Sequence, residues 1–163
     1  MNPDTSAFTR LMKHPLKFRM FLLSKLPSAY FTGVRIKEVD ANKCVTTVPY
    51  KWFSKNPFQS TYFASLAMAA EMSTGALALA HLYKRRPSVS MLLVKLEAEY
   101  FKKATDRSTF VCNDGESFRR AIEESVATGE ARTVTARSTG TNIAGETVAE
   151  FLITWSFKAR RQQ

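Results

Sequence analysis

The dominant feature of the hydropathy pattern is a run from Tyr62 to Leu82 that is apolar or small at nearly every position, with Glu71 and His81 as its exceptions. Ala, Leu and Met favour a helix from Ala64 onward, with Ser60 as the predicted N-cap. A helix that is hydrophobic almost all round is usually buried. The pattern therefore predicts a central core helix, ended by Lys84-Arg85-Arg86-Pro87, with Glu71 as a carboxylate inside it.

Strand-like patterns lie on both sides of this helix in the chain. Before it, residues 33–40 and 43–50 predict two strands joined by Ala41-Asn42. After it, strands are predicted at 88–101, 109–112, 131–141 and 146–158. In the longest of these, the side chains expected to share one face are Leu92, Val94, Leu96, Ala98 and Tyr100.

Shorter helices complete the pattern. Two are predicted at residues 5–13 and 16–26, separated by Pro15, and another at 114–127, where apolar residues recur at helical spacing. The first two helices are amphipathic and basic. Two interpretations stay open for them: packing onto their own domain, or lying on a membrane surface.

Composition limits the domain organisation and the classes of partner. A chain of 163 residues with 45% hydrophobic content can bury one core, so we expect a single domain over 1–163, with a helical extension at 1–31 and a core at 33–158. Lys and Arg number 24 against 14 Asp and Glu, a formal charge of +10. This excess favours an anionic partner, which is a phosphate-bearing ligand, nucleic acid or a membrane surface.

The cysteines and the apolar run bear on localisation. Cys44 and Cys112 each fall in a predicted strand, with neither metal-ligand spacing nor a disulfide framework, so a reduced, cytoplasmic setting is expected. No apolar run near the N-terminus is long enough for an export signal. A transmembrane span at Tyr62 to Leu82 is disfavoured because Glu71 lies at its centre and strands flank it.

The order of elements is two strands, a long apolar helix, then about four antiparallel strands with a short helical insertion. This order resembles the hotdog fold, in which a curved antiparallel sheet encloses a central helix, over roughly residues 33–158. The resemblance implies an α+β class with extra N-terminal helices. Together with the insertion at 114–127, those helices make the chain most similar to the uncharacterised hotdog proteins grouped as DUF4442.

A second resemblance concerns residues 56–71. Acyl-CoA thioesterases of the phenylacetate-pathway type carry an Asn, a Gly three residues later, a His-Gly-Gly beginning six later and an acid fifteen later. The corresponding residues here are Asn56, Gln59, Tyr62-Phe63-Ala64 and Glu71, so the Asn and the acid match and the others are replaced. Downstream, residues 100–104 (YFKKA) resemble that family's aromatic-x-basic-x-Ala strand end, and residues 144–149 (AGETVA) resemble its Gly-x-x-x-Ala hairpin.

The resemblance implies thioester hydrolysis, which needs a carboxylate and a donor aimed at the developing oxyanion. Glu71 would attack the carbonyl or activate water, and the backbone N–H of Phe63 would be the oxyanion donor. Asn56 would orient the carbonyl or the water, and Tyr62, which replaces the His, could donate a hydrogen bond. Burial among small residues is expected to raise the pKa of Glu71, which suits a general base.

Each of these residues also has a structural interpretation that the sequence leaves open. Glu71 could be a structural carboxylate, paired with a basic residue or bonded to backbone across a dimer interface. Asn56, in an Asn-Pro step before a helix, is typical of a turn. Tyr62 and Phe63 could be core aromatics.

Basic residues at strand and helix ends are the candidates for contacts with CoA phosphates, with solvated loop charges as the alternative. They are Lys84, Arg85, Arg86, Lys102, Lys103 and Arg107. No separate cofactor is expected, because CoA would be part of the substrate. No metal is expected either, because the two cysteines and two histidines make no ligand constellation. His81 lies ten residues after Glu71, nearly opposite it on a helix, and is interpreted as a helix-end histidine.

Three functions follow from these observations. The first is an acyl-CoA thioesterase-like enzyme acting on acyl-CoA or another acyl thioester, and its rival is a hotdog protein that binds acyl chains or acyl-CoA without hydrolysis. The third, a nucleic-acid or membrane-surface binder, rests on the charge alone, and no aromatic-basic motif supports a nucleic-acid partner. The resemblance also implies a homodimer, or a dimer of dimers, with the acyl site between protomers.

Overall fold

The computed structural model describes residues 8, 12 and 14–160 and has its elements in the predicted order. The first half comprises helices α1 (Pro15–Lys25) and α2 (Pro27–Thr32), strands β1 (Arg35–Val39) and β2 (Cys44–Val48), a 3-10 turn (Trp52–Ser54) and helix α3 (Phe63–Leu82). The second half comprises β3 (Val89–Tyr100), β4 (Ser108–Cys112), helix α4 (Gly115–Thr128), β5 (Arg132–Thr141) and β6 (Thr147–Ala159). The helix predicted at 5–13 lies outside the described residues, apart from Phe8 and Met12, which are both buried.

Six antiparallel strands form one sheet in the order β1-β2-β4-β5-β6-β3, and α3 packs against it. Polar side chains tie the helix to three strands. Thr46 Oγ1 on β2 donates to the Ala69 carbonyl at 2.7 Å, and the hydroxyls of Ser73 and Ser138 lie 2.8 Å apart. Trp155 Nε1 on β6 donates to Thr74 Oγ1 at 3.0 Å. The antiparallel sheet curved about a central helix confirms the hotdog fold and the α+β class.

Helix α3 passes a length-and-composition test for a membrane span, and it is the one helix among the described residues that does so. Within its most apolar 18-residue stretch, 67% is buried inside the protein. A helix that is apolar on nearly all sides needs such cover, and here the sheet provides most of it. Its length and hydropathy are therefore those of a core helix.

The alternation predicted for the long strand is wrong at its centre. A bulge between Leu93 and Lys95 inserts one residue, so that Leu93 pairs with Trp155 and Leu96 pairs with Ile153. A bulge changes which residues point to which face of the sheet. Leu92 and Leu96 were predicted to share a face, and they lie on opposite faces. Leu92 instead points outward and is 68% exposed. Strand β3 pairs with β6 alone and forms one edge of the sheet.

The predicted N-cap of the core helix is also wrong. Helix α3 begins at Phe63, with Tyr62 as an extended N-cap residue that makes no side-chain cap bond. Ser60 instead bonds to Asn56 within the preceding turn. The start of α3 is fixed by Thr61, whose N–H and hydroxyl both donate to the Ala104 carbonyl, at 2.8 and 2.9 Å. This contact holds the helix N-terminus beside the segment that follows β3.

The other end of α3 is fixed by His81. Its Nε2 lies 2.8 Å from the carbonyl oxygen of Ala41 in the β1–β2 turn, so Nε2 carries the proton and donates it. Burial lowers the pKa of His81, which keeps the ring neutral. This geometry fits a structural helix-end histidine.

The two cysteines face each other across the sheet. Cys44 and Cys112 are direct partners in the β2–β4 pairing, and both are buried free thiols. Burial raises the pKa of both thiols, that of Cys112 to about 12. Thiols held protonated in this way react slowly.

Candidate functional site

A groove of about 580 Å³ lies between the start of α3 and the end of β3. One wall is the turn at 56–61 with the first residues of α3, and the other is the segment 100–104. Five of the predicted site residues line this groove. They are Asn56, Tyr62, Phe63, Lys102 and Lys103. The Thr61–Ala104 hydrogen bond brings these five residues together, although they lie up to 47 positions apart in the sequence.

Two backbone amides at the start of α3 have no acceptor among the described residues. The Tyr62 N–H donates to the Ser54 carbonyl at 2.7 Å, and Ser65 and Leu66 donate to the Tyr62 carbonyl. The N–H groups of Phe63 and Ala64 lie between these donors, and neither bonds to an acceptor in the described part of the chain. The N-terminal amides of a helix point outward with the positive end of the macrodipole, so this pair can stabilise an oxyanion.

Asn56 organises the turn that precedes the helix. Its Oδ1 accepts from the N–H groups of Phe58 at 3.0 Å and Ser60 at 3.2 Å, and its Nδ2 donates to Ser60 Oγ at 3.0 Å. The interpretation of Asn56 as a turn residue describes this geometry. Its second Nδ2 hydrogen has no acceptor in the described part of the chain, so orientation of a substrate by this amide stays a prediction.

The side chains at the helix start are exposed aromatics and not core residues. Tyr62 and Phe63 are 46% and 56% exposed, and their rings meet edge to face with centroids 4.8 Å apart. The alternative interpretation of this pair as core aromatics is therefore wrong for this chain in isolation. Both residues line the groove.

Glu71 lies two turns further along α3, on the side of the helix that the sheet leaves open. Ala67 and Met68 on this side are half-buried, as Glu71 is, and Leu79 at its far end is 44% exposed. The carboxylate has no hydrogen-bond donor or cation within the described residues. Burial is the cause that raises its pKa. The salt-bridge interpretation of Glu71 is therefore wrong within one protomer, and the interpretation through a dimer interface stays open.

One protomer does not bring Glu71 and the free amides to the same point. Eight residues separate Glu71 from Phe63, which is about 12 Å along a helix axis. Glu71 is not among the residues that line the groove. A thioester carbonyl needs its nucleophile and its oxyanion donors within roughly 3 Å. The described chain thus contains two halves of the predicted site at separate places on one helix.

The candidate phosphate contacts divide between the two ends of α3. Lys102 and Lys103 lie at the groove, where Lys102 Nζ pairs with Glu146 at 2.5 Å and Lys103 Nζ lies 3.4 Å from the Phe58 carbonyl. Lys84, Arg85 and Arg86 follow the other end of the helix, about 30 Å away by helical rise. Arg85 Nε is buried and has no hydrogen-bond partner among the residues that the structure describes, and Arg107 is exposed in the loop before β4. Only the first pair is placed to contact a ligand in this groove.

The described residues contain no group of three or more His, Cys, Asp or Glu side chains that could hold a metal ion. The groove itself holds cations, amide donors and aromatic rings, which suit an anionic or acyl ligand.

Two features of the site were not identified from the sequence. The Ala64 amide is a second free donor, and the rule that the first helical amides lack partners would have indicated it. Gly75 makes room for the Glu71 carboxylate, since a Cβ at Gly75 would lie 3.1 Å from Glu71 Oε1. No local pattern signals this second feature, because it depends on the side-chain conformation of Glu71.

Comparisons with known proteins agree with the fold. The family model described as "Domain of unknown function (DUF4442)" matches residues 17–157. A Pseudomonas aeruginosa protein of unknown function, called a "Probable Thioesterase", is similar over 92% of this chain and 99% of its own, with a TM-score of 0.76 and 18% identity. A Haemophilus influenzae thioesterase is similar over 88% of this chain and 91% of its own, with a TM-score of 0.63 and 11% identity.

A third structure, of a Chlorobaculum tepidum protein of unknown function, covers 89% of this chain and 94% of its own, with a TM-score of 0.75 and 17% identity. No curated protein sequence matches the chain. At these identities the similarity establishes a common fold.

Proposed function

Because the chain belongs to the DUF4442 family and has the hotdog fold, we propose that it is an acyl-CoA thioesterase-like protein with Glu71 as general base or nucleophile. The observation that carries the proposal is the Glu71 carboxylate, which is half-buried and partly withdrawn from water yet has neither a cation nor a donor among the described residues. Buried carboxylates are normally paired, and an unpaired one with a raised pKa is typical of a functional site.

The proposed chemistry divides between two groups of residues. Glu71 attacks the thioester carbonyl or takes a proton from water, and its raised pKa makes it a stronger base near neutral pH. The Phe63 and Ala64 amides stabilise the oxyanion, and the Asn56 amide orients the carbonyl or the water. Tyr62 lies at the groove, where it can donate a hydrogen bond to the substrate. The products are a free acid and CoA thiol.

A homodimer would complete this site. Glu71 and the Phe63 amide lie about 12 Å apart on one helix, so both can act on one carbonyl only if two α3 helices run antiparallel across a two-fold axis. Glu71 of one protomer would then face the Phe63 amide of the other. The open side of α3 and the unpaired edge of β3 support this arrangement, because both present apolar surface that a second copy would cover. A dimer of dimers would contain the same composite sites.

The carrier is assigned to CoA because cations lie at the groove. Lys102 and Lys103 would contact phosphates, and Arg107 lies in the adjoining loop. Lys84, Arg85 and Arg86 would contribute only if the partner's helix end reaches the same ligand. We place this reaction in the cytoplasm, where acyl-CoA is formed and where the two buried thiols would stay reduced.

The second candidate function is binding of an acyl chain or acyl-CoA without hydrolysis. The observation in its favour is the pair of exposed rings at Tyr62 and Phe63, which stand where the resembled thioesterase motif has His and Gly. A groove that holds the ligand with its thioester carbonyl out of position for attack would bind the thioester without hydrolysing it.

An acyl-CoA panel assayed on the wild type and on Glu71→Gln tests both functions. The thioesterase proposal predicts release of CoA thiol by the wild type and a fall of at least about a hundredfold in kcat for the variant. Binding measured by calorimetry should be retained by both proteins. Binding without thiol release in either protein would establish the second function instead of the first.

A further inference from the structure

The structure points to a second surface, separate from the groove, formed by α1, α2 and the 3-10 turn. We propose that this surface docks on an anionic lipid bilayer, with apolar side chains inserted among the lipids and basic side chains at the headgroups. The inference does not depend on the proposed function, because it rests on other residues and other contacts.

Helix α1 has apolar side chains on two opposite sides. Phe18 and Leu22 are buried against the domain, as expected for a packed helix. Leu16, Met20 and Leu23 recur at i, i+4 and i+7, so they form one stripe, and they are 67%, 62% and 45% exposed. By helical geometry this stripe lies about 150° from the buried side. Packing onto the domain therefore accounts for one side of α1 and leaves an apolar stripe in solvent.

Exposed aromatic rings extend this apolar surface. Phe31 of α2 stacks on Phe53 of the 3-10 turn, with ring centroids 5.7 Å apart, and Trp52 packs edge to face on Phe53 at 5.6 Å. Trp52 is 84% exposed, more than any other large hydrophobic residue described. Tyr30 links this cluster to α1, since it packs on Phe31 and accepts a hydrogen bond from Arg19 at 3.2 Å. Amphipathic Trp side chains favour the membrane interface.

The charge of these segments complements an anionic bilayer. Residues 14–37 and 49–63 carry seven Lys or Arg side chains and no Asp or Glu. They are Lys17, Arg19, Lys25, Arg35, Lys37, Lys51 and Lys55. Salt bridges among the described residues involve none of these seven. An apolar surface accompanied by cations that no carboxylate neutralises is the arrangement by which interfacial helices bind anionic lipids.

A second copy of the chain is the competing occupant of an apolar surface. Concentration of positive charge argues against it here, because a two-fold interface would bring the same seven cations against one another without compensating acids. The bilayer supplies the missing negative charge and accepts apolar side chains at the same time.

Vesicle flotation of the full chain tests the proposal. The vesicles are phosphatidylcholine alone and an equimolar mixture of phosphatidylcholine and phosphatidylglycerol. We expect binding to the mixed vesicles that weakens with added salt, and little binding to phosphatidylcholine. Trp52 emission should shift to the blue and be quenched by brominated lipid, whereas Trp155, which is 6% exposed, should report no change.

Two variants with matched controls separate apolar insertion from simple charge attraction. Trp52→Ser with Phe53→Ser should weaken mixed-vesicle affinity at least about tenfold, while Ile143→Ser, which removes an exposed apolar side chain in the β5–β6 turn, should not. The double variant Lys25→Glu/Lys51→Glu should weaken mixed-vesicle affinity more than the control Lys158→Glu/Arg160→Glu does. The two double variants change the net charge equally. Circular dichroism checks that each variant is folded.

Three outcomes would overturn the proposal. They are no binding to the mixed vesicles, equal loss in variants and controls, and a surface that instead self-associates. Self-association would appear in sedimentation velocity without lipid, as a mass that falls when Trp52 and Phe53 are replaced and does not fall with Ile143→Ser.

Discussion

The carboxylate of Glu71 occupies space that a side chain at Gly75 would fill, since a methyl group on Gly75 would lie 3.1 Å from Glu71 Oε1. The same methyl group would lie 3.4 Å from Trp155 Cζ2, which is ordinary van der Waals contact. The glycine one turn after the carboxylate thus sets where that carboxylate can lie, and the ring behind it is unaffected.

Gly75→Ala should therefore lower activity without lowering stability. Displacement of the Glu71 carboxylate by a few tenths of an ångström or more is expected to reduce kcat about tenfold. Ala replaces Gly in a helix interior with a gain of roughly 0.5–1 kcal/mol, so the midpoint of thermal unfolding should hold or rise. Thiol release and calorimetry measure the two effects. If kcat and the midpoint of thermal unfolding both fall, the methyl group disturbs the core and not only Glu71.

The free amide of Phe63 can be deleted without breaking the helix. Phe63 is the first residue of α3, where Pro is tolerated because its missing N–H has no partner there. Tyr62 has φ −61° and ψ 134°, which a residue before Pro can adopt. Phe63→Pro should lower kcat about a hundredfold by removing an oxyanion donor. The control is Phe63→Ala, which loses the ring and keeps the N–H, and equal activity of the two variants would contradict the assignment.

Mixing two inactive variants tests whether the site is shared between protomers. Glu71→Gln and Phe63→Pro subunits, after exchange in equal amounts, should recover about a quarter of wild-type activity. Half of the dimers would be mixed, and each mixed dimer would contain one site with an intact carboxylate and an intact amide. Activity is measured by thiol release after subunit exchange, verified by native mass spectrometry. Exchange without recovered activity would show that both groups act within one chain.

Burial of Glu71 makes stability depend on pH in a defined direction. Its pKa in the folded protein is raised above 4.5, so the folded state binds the extra proton more tightly than the unfolded state does. The contribution of Glu71 to stability is therefore full below about pH 4.5 and is lost as pH rises through the raised pKa. Glu71→Gln removes this titration.

Thermal unfolding of the wild type and of Glu71→Gln is measured between about pH 4 and pH 8. The unfolding midpoint of the variant should rise relative to that of the wild type as pH rises. Titration of His81 is common to both proteins and cancels in the difference. A difference that stays constant with pH would mean that Glu71 ionises as easily in the folded protein as in the unfolded chain.

The sequence predicted the element order well because the signals are local. Long apolar runs and period-two alternation depend on neighbouring residues, and the family resemblance placed Asn56, Tyr62 and Phe63 in one region, as the groove does. The errors arose where distant contacts decide. Ser60 was predicted as an N-cap, but the Asn56 side chain engages it, and the strand alternation fails at Leu93 because β6 sets the register of β3.

The fold followed from local patterns in the chain, since an almost wholly apolar helix among alternating strands is covered when those strands form a sheet that wraps around it. The same patterns also determined that a carboxylate lies within that helix. Long-range packing set which side of α3 the sheet leaves open, and with it the half-buried position of Glu71, which has no cation beside it among the described residues. Which side is open depends on strand order and on the Thr61–Ala104 contact, 43 residues apart, and no local pattern contains such long-range geometry.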